Sequence, residues 1–127
     1  MRNWEATKAS YLKYDRPHQL GHLASSLARV RTNIREDDEV GGQVAIAVIE
    51  ECQYFTEWTI TTLNTMQNEA DLMLAQELLT LGRQLTRWKL HWQDLWQDTS
   101  KRSEIAITAE RWSSLMLERS GLLQPEL

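Results

Sequence analysis

The chain of 127 residues has one cysteine. That excludes an intrachain disulfide framework and any zinc site built on several thiolates. Two prolines and five glycines are too few for a collagen-like or low-complexity chain. No apolar run approaches the roughly 18–20 residues of a membrane span, so no membrane partner is expected. The opening Met1-Arg2-Asn3-Trp4-Glu5-Ala6 lacks the apolar block of a signal peptide. There is no sustained period-two alternation and no Asn-Gly or Asp-Gly hairpin turn, which argues against a sheet. Also missing are Gly-x-Ser-x-Gly, a Walker loop, Gly-x-Gly-x-x-Gly and Glu-x-x-His, so the familiar hydrolase, nucleotide-binding and di-iron readings have no foothold. The expectation left by these absences is one soluble, cytoplasmic domain that is not an enzyme and carries no cofactor.

Two features stand out. Six tryptophans accompany a single phenylalanine, and large rings can supply much of the buried area of a small domain. Charge is segregated along the chain. Residues 1–35 hold seven Lys/Arg and two Asp/Glu, residues 36–82 hold ten Asp/Glu and no Lys/Arg, and residues 83–127 hold seven and six.

Helical periodicity is strong in four segments. In 17–35, Leu20, Leu23, Leu27, Val30 and Ile34 form one stripe, and Pro17 suits a helix start. In 38–64, behind the acidic run Glu36-Asp37-Asp38-Glu39, the stripe is Val44, Val48, Cys52, Phe55, Thr59, Leu63 and Met66, while Ile46, Ile49 and Ile60 face elsewhere. In 68–97, capped by Asn68, Leu74, Leu78, Leu81, Leu85, Trp88, Trp92 and Trp96 run without a break. One helix of that length would reach about 45 Å, with Gly82 its weakest point. In 100–120, Ile105, Ala109, Trp112 and Met116 share a face, with Gly121 placed as a left-handed terminator, Leu122 folding back, and Pro125 as a stop. Residues 1–16 read as an arm or a short extra helix, 17–123 as the bundle and 124–127 as a tail.

Four amphipathic helices with short connections predict an all-α, up-and-down four-helix bundle. That topology sets the loop after the first helix beside the loop after the third. Glu36-Asp37-Asp38-Glu39 would then meet Lys101-Arg102. Exposed pairs contribute at most about 1 kcal/mol each, yet together they can select neighbours.

Several residues are candidates for chemistry. His18 and His22 share a helical face at a spacing of four, as a metal pair would, but no third ligand is identifiable. They read as surface histidines or as contacts of the N-terminal arm. Glu51 is the one acid near a core stripe, with Arg31 the candidate partner. Cys52 lies on the apolar face and reads as a core residue. Four contiguous acids do not make the alternating ligand pattern of an EF-hand. The aromatic run invites a flat ligand, such as a tetrapyrrole, at Trp88, Trp92 and His91; the competing reading is plain core. Lys8, Lys13, Arg16, Arg29, Arg31 and Arg35 could bind nucleic acid, but the overall acidity and the lack of a helix-turn-helix signature disfavour it.

One feature points to an interface. Leu72, Leu79 and Leu90 lie almost opposite the main stripe of their helix, and a small bundle has only one core. The expectation is that they contact a partner, either a second copy in a homodimer or another protein. The tryptophan-rich end of the same helix is expected to overhang, and such a partner would cover it too; the competing expectation is that the N-terminal arm of the same chain covers these features.

Several stretches look familiar together: Tyr14-Asp15-Arg16-Pro17, Leu23-Ala24-Ser25-Ser26-Leu27-Ala28-Arg29, Tyr54-Phe55-Thr56-Glu57-Trp58-Thr59 and Leu117-Glu118-Arg119-Ser120-Gly121-Leu122-Leu123. They resemble a family of small uncharacterised cyanobacterial all-helical proteins, over most of the chain from Tyr14 onward. The resemblance implies a cytoplasmic location. It implies no activity and supplies no site residues.

Overall fold

The computed structural model describes residues 2–122. Among them are six helices and no strand: α1 (Trp4–Lys13), α2 (Arg16–Arg35), α3 (Glu39–Thr61), α4 (Glu69–Leu90), α5 (Trp92–Gln97) and α6 (Thr99–Ser120). The proposed tail at 124–127 and Pro125 lie outside the described residues.

Side-chain caps set most of the starts. Asn3, Asp15, Asp38, Asn68 and Asp98 each accept a backbone N–H from the first turn of α1, α2, α3, α4 and α6. Each satisfies donors that a helix end otherwise leaves open. Helix α2 begins at Arg16 rather than Pro17, because Asp15 caps it and proline is tolerated in the first turn. Asp37, at the end of α2, takes a left-handed φ of 56°, which a short polar side chain tolerates better than most. Gly121 (φ 72°) terminates α6 as expected. Beyond it, Leu122 reaches across to Gly21 of α2, where an added Cβ would come within 3.0 Å of Leu122 Cδ1.

Helices α2, α3, α4 and α6 pack together as a helical bundle. The stripe of α2 is buried throughout: Leu20, Leu23, Leu27, Val30 and Ile34. Against it lie Val48, Ile49, Cys52 and Phe55 of α3, Leu78, Leu81, Leu85 and Trp88 of α4, and Ile105, Ala109 and Met116 of α6. Each large apolar side chain so buried is worth about 1.5–3 kcal/mol. Paired side chains give the directions. Arg16 with Thr62 and Ser26 with Glu51, Glu50 with Lys89 and Gln53 with Thr86, and Ala24 with Ser113 and Arg31 with Glu110 each ascend one helix while descending its neighbour, so α2–α3, α3–α4 and α2–α6 run antiparallel. Small residues (Ala24, Ala106 and Ala109) let α2 and α6 come closest, whereas α4 approaches α6 only sparsely.

Three expectations are corrected. The third segment is two helices: the chain turns at His91 (φ −109°, ψ 18°), while Gly82 sits inside an unbroken α4. Beyond the turn α5 carries on alongside the start of α3, so Trp96 does not overhang; it packs against Gly42 of α3 and under Arg102. In α3, Val44 is exposed and Ile49 is fully buried, and Met66 lies beyond the helix end in solvent. The cause is that α3 is covered by α2, α4 and α1, so its buried face is wider than one stripe.

Residues 4–13 are helical. Trp4 packs on Tyr54 and Trp58, and Tyr11 stacks on Phe55 at 4.4 Å. The Tyr11 hydroxyl donates to Gln19 O (3.0 Å) and shares a 2.7 Å bond with Thr59 Oγ1. Burial pushes that phenol well above its ordinary range.

Candidate interaction surface

Leu72, Leu79 and Leu90 are 43%, 49% and 75% exposed. Helix α1 lies on α3 and leaves them uncovered. Leu79 and Leu90 line a groove of about 650 Å³ between α3 and α4; Leu72, near the start of α4, lies outside it. Two small residues make the groove. Gly82 has no side chain, and the nearest atom across is Thr56 Cγ2, 3.9 Å from where its Cβ would stand. Ile60 and Leu78 supply further apolar lining.

Thr56 is 2% exposed, yet its hydroxyl has no hydrogen-bond partner among the described residues. Thr32, Thr59 and Thr80 instead donate to the carbonyl four residues back. A buried hydroxyl without a partner carries a desolvation cost of about 1–3 kcal/mol.

The two walls differ in charge. Helix α3 contains no Lys or Arg and presents Glu57 to the groove; α4 presents Arg83 and Arg87. Gln53 Nε2 donates to Thr86 Oγ1 at 3.2 Å, and Lys89 pairs with Glu50 at 3.4 Å. Glu57, Arg83 and Arg87 make no ion pair among the described residues, in contrast to Arg119, which grips Glu77 with two bonds of 2.8 and 2.9 Å.

Among the other candidate residues His91 also borders this groove; the rest lie apart from it or are already engaged. His18 Nδ1 bonds Asp15 at 2.5 Å, and the His22 ring stacks on Tyr14 at 4.4 Å. No group of three His, Cys, Asp or Glu suited to a metal occurs among the described residues. Glu51 is buried, but its partner is not Arg31. Arg2 donates to it at 2.6 Å, Ser26 at 2.9 Å, and Arg29 lies 3.8 Å away, while Arg31 and Arg35 both reach Glu110 at 3.3 Å. The geometric reason is helical phase: Arg29 and Arg31 stand about 200° apart around α2, so Arg29 faces Glu51 on α3 while Arg31 faces Glu110 on α6. With Arg16 on Asp71 at 2.7 Å, all five arginines of the basic segment lie against carboxylates. Cys52 is fully buried, and burial pushes its thiol up, which disfavours the reactive thiolate.

Trp88 and His91 line a second cleft, of about 460 Å³, between α4, α5 and the start of α6. Trp88 is 4% exposed and belongs to the core. Trp92 does not line that cleft; it stacks on Trp96 at 5.7 Å. The three residues therefore do not frame one ring-binding slot. At the far end, Asp37 meets Arg102 at 2.6 Å, as the loop charges predict. The groove itself was missed in the sequence. Its only signals are a lone glycine in a leucine-rich helix and a threonine off the main stripe of its neighbour.

No family model, curated protein or solved structure matches the chain.

Proposed function

We propose that this chain is a non-catalytic, cytoplasmic, up-and-down four-helix bundle whose role is protein–protein association, with a second copy of itself as partner. The observation that carries the reading is the exposed leucine face of α4: Leu72, Leu79 and Leu90 stand in solvent with Met73 beside them. Contiguous apolar surface outside the core is the usual mark of an association site. The groove beside it adds a concave apolar receptor. The ion-paired state of Arg16, Arg29, Arg31 and Arg35 supports a protein rather than a nucleic-acid partner. The buried thiol is in keeping with a reducing compartment.

Sedimentation velocity over a wide range of protein concentration tests this. The expected result is a dimer that dissociates on dilution and is abolished by Leu79→Glu with Leu90→Glu, both exposed positions where the monomer fold is retained. A wild-type chain that stays monomeric at every concentration would sink the proposal.

A further inference from the structure

We infer that the second copy docks about a two-fold axis parallel to the helices, so that α4 of each copy faces α3 of the other and Glu57 meets Arg83 across the contact. This rests on the self-association proposed above and fixes its geometry.

The argument starts from register. Gln53 bonds Thr86, Glu50 pairs with Lys89, and Thr56 lies against Gly82. The same antiparallel register carries Glu57 level with Arg83 and Ile60 level with Leu79. Glu57 and Arg83 both border the groove on opposite walls, and neither finds an ion-pair partner among the described residues. A groove with one acidic and one basic wall is self-complementary under only one kind of two-fold. An axis parallel to the helices exchanges the walls and keeps every residue at its own height, which sets Glu57 opposite Arg83 twice. It also runs each α4 antiparallel to the facing α3, so the four helices form a second up-and-down core around Leu79, Ile60 and Leu90. An axis across the helices would instead bring Arg83 against Arg83 near the centre of the contact, and like charges so placed are strongly unfavourable. Docking closes the groove over the unpartnered Thr56 hydroxyl, whose level in the second copy is that of the polar pair Glu57 and Arg83.

Both residues are exposed on helix surfaces, so reversing their charge leaves the fold intact, which circular dichroism verifies. The test compares the wild-type chain, Glu57→Arg, Arg83→Glu, an equimolar mixture of those two, and Leu79→Glu with Leu90→Glu, by sedimentation velocity and native mass spectrometry. Each single charge reversal is expected to weaken the dimer about 100-fold, because two opposite-charge contacts become like-charge contacts. The mixture is expected to form a heterodimer at wild-type strength, because both of its Glu–Arg contacts are restored. If both charge variants dimerise like the wild type while the double leucine variant is monomeric, the face associates in another arrangement; the inference then fails and the broader reading stands. If the singles weaken but the mixture does not recover, the pairing is wrong. A wild-type monomer, with or without a bound small molecule in the native spectrum, overturns both.

Discussion

Trp96 lies against the backbone of Gly42. A Cβ on Gly42 would stand 2.7 Å from Trp96 Cε2 and 2.8 Å from Cζ2, closer than real side chains tolerate. The other side of the ring carries the Arg102 guanidinium, 4.7 Å from its centroid, and Arg102 continues to Asp37. One glycine thus lets the short helix α5 latch the start of α3 to the start of α6. Gly42→Ala should push Trp96 out and lower stability by about 1–3 kcal/mol despite the better helix propensity of alanine. Thermal unfolding, together with a red shift of tryptophan emission in the folded variant, checks this. An unchanged melting temperature would show that the ring can move aside freely.

Tyr11 ties the N-terminal helix to the bundle through a hydroxyl that reaches both Gln19 O and Thr59 Oγ1. Tyr11→Phe keeps the stacking on Phe55 but removes that hydroxyl from a buried site. The expected loss is about 1–2 kcal/mol, read as a lower denaturant midpoint with an unchanged slope. Tyr14→Phe, at an exposed ring, should change little and serves as the control.

Much of this fold is written in periodicity. The stripe from Leu20 to Ile34 and the run from Leu74 to Trp88 are buried where a spacing of three and four residues puts them. Capping residues are equally legible, since Asn68 and Gly121 act through local backbone geometry alone. Three things were not. The break at His91 leaves no mark in the pattern: no proline or glycine stands there, and the Leu95 N–H still bonds His91 O as in a continuing helix. The partner of Glu51 depends on which helix flanks which side of α2: Arg29 and Arg31 stand about 200° apart, one facing α3 and the other α6. The α3–α4 groove depends on register. A glycine and a threonine form a hollow only because the register sets them level, and one-dimensional patterns carry no such information.

Asp15 supplies the pH dependence. The backbone N–H of His18, then the His18 ring, hold its carboxyl below the usual carboxylate range. A group whose folded pKa is depressed contributes stability above its unfolded value, and that contribution is lost as pH falls through the folded pKa. The wild type should therefore lose part of its stability on acidification below the ordinary aspartate range. Asp15→Asn should keep α2 capped, because an amide oxygen accepts the same bond, while losing that part of the acid dependence. The comparison is melting temperature against pH for the two proteins. Parallel curves from neutral pH down through the acid limb would show that Asp15 titrates alike in both states.

Cys52 reports on opening of the core. It is fully buried between α2 and its own helix's neighbours, and burial raises its thiol pKa, so neither access nor thiolate is available in the folded state. A thiol reagent at neutral pH should label the native protein at a rate set by unfolding, and in denaturant at once. If labelling occurs through global opening, Tyr11→Phe and Gly42→Ala should each accelerate it in proportion to their loss of stability. Rapid labelling of the native wild type that neither variant accelerates would mean that the sulfur is reached through a smaller local fluctuation, one that leaves the Tyr11–Thr59 and Gly42–Trp96 contacts of α3 in place.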